Sequence, residues 1–161
     1  MASVYGFPLS RQGYDIVDEF IFFYWKPAMI DRGSTFEHPF KSGYKFHVAV
    51  LPRDAEKLAR AVLPVLQKAN LDHKVVYPLS EYETMCEGEQ AGKFITIYSG
   101  PQIAAAQELV RQLEPVLRQL QQAGVTPGPA PRDRKQGHQV AEHKASDTGF
   151  LWYINTSSYF N

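Results

Sequence analysis

What this sequence has little of narrows what it can do. It carries one cysteine, Cys86, in 161 residues, which excludes an internal disulfide and a thiolate zinc cluster and suits a reducing compartment. It has no net charge, because 17 Lys and Arg balance 17 Asp and Glu. No global field therefore draws it to nucleic acid or to an acidic membrane, and any anion site must be local. No run approaches the roughly eighteen apolar residues of a membrane span, and the N-terminus has no basic segment followed by an apolar one. The expectation is a chain with no nucleic-acid or membrane partner, made without a cleaved secretory signal and resident in the cytoplasm, with export by a signal-independent route left open. Also missing are a Gly-x-Ser-x-Gly elbow, a Walker or dinucleotide loop and a His-Glu-x-x-His pair, so the commonest hydrolase, nucleotide and zinc-protease chemistries have no support.

What is present is an ordinary globular composition, 44% hydrophobic, in a length that suits one domain with a real core. Residues 1–14 hold Gly6, Pro8 and Gly13 without periodicity and read as an irregular arm. Residues 15–25 are aromatic and β-branched and end in a strand. Residues 27–43, with Pro27, Gly33, Pro39 and Gly43, read as a long loop; His38 sits in it with no second ligand at metal-binding spacing. Asp54 reads as the N-cap of an amphipathic helix to about residue 69, which Pro64 should kink or split and Asn70 should close. Residues 71–78 form a strand, residues 79–92 a polar, turn-rich stretch with a solvated acidic patch, and Lys93 to Tyr98 the clearest strand of the chain. Pro101 then opens the longest helix, interrupted by Pro115 and stopped by Gly124. Residues 125–138 are a Pro/Gly loop with a basic cluster, and residues 149–155 a final strand.

The stretch that carries chemistry is Tyr44 to Val50. Its period of two sends Phe46, Val48 and Val50 to one face and Lys45, His47 and Ala49 to the other. An ammonium and an imidazole two residues apart on a strand stand roughly 6.5 Å apart, near enough to meet one small anion and to lower each other's pKa. The alternative is an exposed face on which both are merely solvated. A second concentration of positive charge lies at Arg132 and Arg134, with the choice between a solvated loop and an arm that grips an anion through its guanidinium forks. His143-Lys144 adds a shorter basic spot.

Four blocks in this order resemble the phosphothreonine lyases among bacterial type III effectors and the related lyase domains of class III and IV lanthipeptide synthetases. They are Lys45-Phe46-His47, Lys74-Val75, Gly92 to Tyr98, and the Gly-Val-x-x-Gly segment Gly124 to Gly128 with Arg132-Asp133-Arg134 after it. Together they span roughly residues 43–145. The resemblance implies β-elimination of phosphate from phosphothreonine or phosphoserine in a peptide or protein, leaving a dehydroamino acid, with no metal or organic cofactor required. It implies Lys74 as the base at Cα, His47 as the acid on the departing oxygen, and Lys45 and Tyr98 as groups that steady the enolate or position the base. The family places arginines between the base lysine and the tyrosine, and this chain has none there, only Lys93. Binding of the phosphate would then fall to Lys93, Arg132, Arg134, His143 and Lys144.

The expected architecture is α+β: one domain with a mainly antiparallel sheet from segments near residues 20, 45, 75, 95 and 150, and two long kinked helices packed on it. Residues 1–42 are read as an arm, aromatic strand and loop, and residues 43–161 as the lyase-like core with its basic loop at 125–138. Two other functions stay open: a relative that binds a peptide or protein without catalysis, and an enzyme that uses the Lys/His face on a different anionic substrate.

Overall fold

The computed structural model describes residues 3–8, 15–16, 22–25, 43–135 and 138–156. Most of the expected 27–43 loop, including His38, lies outside the described residues, as do the greater part of the N-terminal arm and Gln136-Gly137 of the basic loop.

Among the described residues, eleven short strands, three α-helices and one turn of 3-10 helix (Pro52–Asp54) build an α+β fold. β1 (Ser3–Val4) and β2 (Phe7–Pro8) pair as a small hairpin, where the sequence read only an irregular arm. Its turn buries Tyr5, whose hydroxyl donates to the Val76 carbonyl at 2.9 Å and whose ring meets Tyr77 and Phe94 edge-on. Pairing the backbone and burying one aromatic ring is what gives six residues without periodicity a fixed shape.

Among the described residues the main sheet has seven strands, every neighbouring pair antiparallel. They are β3 (Asp15–Ile16), β4 (Phe22–Trp25), β5 (Tyr44–Val48), β6 (Asp72–Val76), β7 (Ile95–Gly100), β10 (His143–Lys144) and β11 (Leu151–Asn155). Their order across the sheet is β10-β11-β5-β7-β6-β4-β3. Alternation along the strands decides the two faces. Phe46, Val48, Val75, Ile95, Ile97 and Leu151 are buried in the same core as the apolar stripes of α1 (Ala55–Lys68) and α3 (Ile103–Gln122). Those stripes are Leu58, Val62, Leu63 and Leu66 on α1 and Leu109, Leu113, Leu117 and Leu120 on α3.

Both helices end as their sequences require. Gly124 at φ 88° donates to the Gln121 carbonyl and Val125 to that of Leu120, while Asn70 at φ 54° donates to Gln67 and Leu71 to Leu66. Each is the paired closure in which a left-handed residue satisfies the last carbonyls. Pro64 and Pro115 sit inside continuous helices, so neither splits its helix in two. Asp54 occupies the N-cap of α1, yet its carboxylate accepts the Thr126 N–H at 3.0 Å instead of capping the helix. The expected polar stretch 79–92 contains a further helix, α2 (Leu79–Met85), whose Tyr82 is fully buried and donates its hydroxyl to the Val50 carbonyl.

The basic loop is half a loop. After the 125–131 segment, β8 (Arg132–Lys135) pairs with β9 (His138–Ala141) as an antiparallel hairpin. Gly128 lies close against the backbone of Val50, where a Cβ would stand 2.8 Å from the Val50 carbonyl oxygen. This close approach brings the hairpin and the residue after it back to β5.

Candidate functional site

On the sheet face that the core does not use, two cross-strand rows stand side by side. Lys74 on β6 opposes Thr96 on β7, which opposes His47 on β5. In the next row Asp72 opposes Tyr98, which opposes Lys45. With strands about 4.8 Å apart, Lys74 and His47 begin about 10 Å from each other with Thr96 between them. Long side chains close that gap. Lys45, His47, Lys74, Thr96 and Tyr98 line one cavity of about 80 Å³, with Lys93 from the approach to β7 and Met85 and Gln90 from α2 and the turn after it. It has room for one small charged group and little else.

His47 is not a wet strand residue. It is 3% exposed, and its Nδ1 meets both oxygens of Glu142 at 2.6 and 2.9 Å. A carboxylate can only accept, so Nδ1 carries the proton and donates. The Glu142 side chain is itself wholly buried. Burial pushes the His47 pKa down, the hydrogen bond and charge of Glu142 push it back up, and the ammonium groups of Lys45 and Lys93 push it down again. The other histidine on these central strands, His73, takes the opposite face. It is fully buried, donates its Nδ1–H to the Leu71 carbonyl (2.8 Å), and burial lowers its pKa to about 4. Among the described residues no three His, Cys, Asp or Glu side chains converge to hold a metal ion, and no helix is long and apolar enough to cross a membrane.

A sequence profile of the RamC N-terminal domain matches residues 12–127, well over half of the chain and including Lys45, His47, Lys74, Lys93 and Tyr98. The chain belongs to the RamC N-terminal domain family. No curated protein matches its sequence significantly. Solved structures extend the likeness of this RamC N-terminal domain relative as one of fold. The phosphothreonine lyase SpvC, an effector protein from Salmonella, superposes with a TM-score of 0.56 at 18% identity, covering 92% of this chain and 71% of that one. The type III effector and phosphothreonine lyase OspF from Shigella flexneri gives 0.59 at 12% identity, covering 99% and 74%. The VirA phosphothreonine lyase effector of Chromobacterium violaceum gives 0.56 at 16%, covering 94% and 69%.

The residues singled out from the sequence of this RamC-type domain divide into two groups. Lys45, His47, Lys74, Lys93 and Tyr98 share the cavity. His143 and Lys144 do not line it; both are exposed and belong to a separate groove beside α3. Arg132 is exposed on β8, and Arg134 lies opposite Gln139 in the hairpin, its side chain outside the described residues. Glu142 was missed. It stands in the sequence as one more surface-type acid between two basic spots, and only the hairpin that returns residue 142 to β5 marks it. Asp72 was missed likewise; it is 5% exposed at the start of β6, across from Tyr98.

Proposed function

We propose that this protein is a carbon–oxygen lyase that eliminates phosphate from a phosphothreonine or phosphoserine side chain in a peptide or protein. The observation that carries the reading is the convergence of Lys74, His47, Lys45, Lys93 and Tyr98 on one cavity sized for a single anionic group. The membership in the RamC N-terminal domain family and the fold shared with phosphothreonine lyase effectors support it.

Lys74 takes the Cα proton as base. The electron pair left at Cα forms the Cα–Cβ double bond, the Cβ–O bond breaks, and phosphate departs with that bond's electrons. His47 gives a proton from Nε2 to the leaving oxygen, because its Nδ1 is engaged by Glu142. Lys45 and Tyr98 face the charge that develops on the carbonyl oxygen next to Cα. With no arginine between Lys74 and Tyr98, the phosphate is held at the cavity by the Lys93 ammonium, a point charge instead of a bidentate fork.

On balance, burial holds the His47 pKa below its ordinary value. A phosphate dianion beside it supplies negative charge and favours the imidazolium, so substrate binding itself loads the acid. A lysine base must in turn be neutral to take the Cα proton.

The test is mass spectrometry of phosphothreonine and phosphoserine peptides incubated with the protein beside a Lys74→Ala control. Loss of the elements of phosphoric acid from the peptide, with an unsaturated residue left behind only when Lys74 is intact, is the expected result. Release of phosphate with water added, giving threonine or serine, would replace the lyase by a phosphatase.

A further inference from the structure

Phe46 lies between Lys45 and His47 and turns the other way. On that side, between α3 and the strands β5, β11 and β10, is a groove of about 660 Å³, several times larger than the Lys/His cavity. α3 contributes Ile103, Ala106, Gln107 and Val110 to it, a stripe at i, i+3, i+4 and i+7. Ala106 and Val110 also meet the core, so Ile103 is the apolar member of this row that stands out from it. Ile103 is 58% exposed and is the sole large hydrophobic so exposed among the described residues. Across the groove Tyr153 is ringed by Tyr44, Phe46 and His143, with centroids 6.2, 5.8 and 5.2 Å away.

Three features restrict the occupant. Among the described residues Lys144 is the one full charge that lines the groove, and no carboxylate does; it complements an acid. A second hollow continues the groove along α3 past Arg111, Pro115 and Arg118 and shares Gln107, Val110, Lys144 and Ala145 with it; Glu114 and Asp147 also line this far end, so the preference for an acid belongs to the first groove around Lys144. The site is therefore elongated, not a pit. Finally, among the described residues β10 ends the strand order of the sheet, and the far side of an edge strand is where an extended chain adds.

We infer that this groove is a docking site for an extended peptide segment that carries a large apolar or aromatic side chain next to an aspartate or glutamate. The inference rests on the proposed action on peptides in one respect. A cavity of about 80 Å³ accepts one side-chain group, so the rest of a peptide substrate has to be recognised elsewhere. The groove meets that need on the back of the same strand, β5, where Tyr44 and Phe46 face docking and Lys45 and His47 face chemistry.

The test is selection from a phage-displayed library of short random peptides, free of phosphate, on the 161-residue chain. The selected sequences are then made with a fluorescent label for binding by polarisation. The expected result is enrichment of an apolar or aromatic residue beside an acid, with binding weakened about tenfold or more by Lys144→Glu and by Ile103→Asp. Excess inorganic phosphate, a probe for the Lys/His cavity, leaves that binding unchanged, and amide shifts on titration fall at Val110, Ala145 and Tyr153. Both substituted side chains are exposed, so the variants keep the fold, which a matching thermal melt checks. Peptides with no acid, binding indifferent to both variants, or displacement by phosphate would overturn the docking site. Concentration-dependent dimerisation abolished by Ile103→Asp would assign the groove to a second copy of this chain instead. Because no elimination is measured, the docking site can fail while the lyase stands, and the reverse.

Discussion

Glu142→Gln tests the chemistry at its least exposed point. The substitution keeps the size of the side chain and an oxygen that accepts from Nδ1 of His47, and it removes the charge. Three influences then act on the imidazole in one direction: burial, Lys45 and Lys93 all disfavour the protonated ring, and the opposing carboxylate is gone. A hydrogen bond to a charged group in a buried setting contributes about 1.5–3 kcal/mol. At about 1.4 kcal/mol per decade, that is a factor of roughly ten to a hundred in the protonated fraction of His47 at fixed pH. If His47 gives its proton to the leaving oxygen, kcat/KM falls as pH rises through the His47 titration. In the variant that falling limb moves to lower pH, and activity near neutrality drops by about ten- to a hundredfold, with recovery on acidification. The assay is the pH profile of kcat/KM on a phosphothreonine peptide, with Glu142→Asp as the charge-keeping control and a thermal melt as the fold control. A limb at the same pH in Glu142→Gln, with only the height reduced, would refute the assignment of His47 as acid and of Glu142 as the residue that positions and charges it.

His73 makes a separate statement about stability. Its pKa is lowered from 6.5 to about 4 by burial, so the unfolded chain takes up a proton that the folded one refuses. The stability present above pH 6.5 declines as pH falls towards 4, by about 3 kcal/mol across the window at about 1.4 kcal/mol per pH unit. His73→Leu should flatten that part of the profile in urea melts taken between pH 7 and pH 4, and an unchanged slope would count against a neutral buried ring. Gly43→Ala should destabilise by about 1–3 kcal/mol or more from backbone strain alone, since Gly43 has φ 135° and an added Cβ would lie 2.4 Å from the backbone carbon of Gly100. A shift in the denaturation midpoint measures it, and a midpoint unmoved would mean that β5 and β7 separate there. Lys74→Ala should abolish formation of the unsaturated product while leaving the melting temperature close to that of the unsubstituted protein, because Lys74 is half-buried at the cavity wall and outside the apolar core.

Much of the fold was legible because local chemistry fixed it. Alternation from Tyr44 to Val50 set which residues of β5 meet the core, and the three- and four-residue spacing on α1 and α3 set their buried stripes. Asn70 and Gly124 closed those helices because a left-handed residue was needed where each stripe ended. The same alternation put Lys45 and His47 on one face, and the strands at 74 and 98 followed from their own residues. What stayed hidden depended on partners far along the chain. α2 carries a buried tyrosine in an acidic, turn-like stretch, and it holds because Tyr82 reaches the Val50 carbonyl across the fold. The hairpin at 132–141 reads as a basic loop until its strands pair, since its residues show no apolar period.

The sequence by itself determined that the chain folds as α+β around an antiparallel sheet, and that lysine, histidine and tyrosine occupy one face of it, because side-chain direction on a strand is set by local backbone geometry. Only the tertiary structure decided which of the basic residues meet. Lys93 joined Lys45, His47 and Lys74, while His143 and Lys144 went to a groove beside α3. It also decided that Glu142, 95 positions from His47, sits at hydrogen-bond distance from it. No local rule reaches across that separation; the return of the hairpin to β5 does, and burial of both groups then turns a surface-type acid into the residue that sets the protonation of the imidazole.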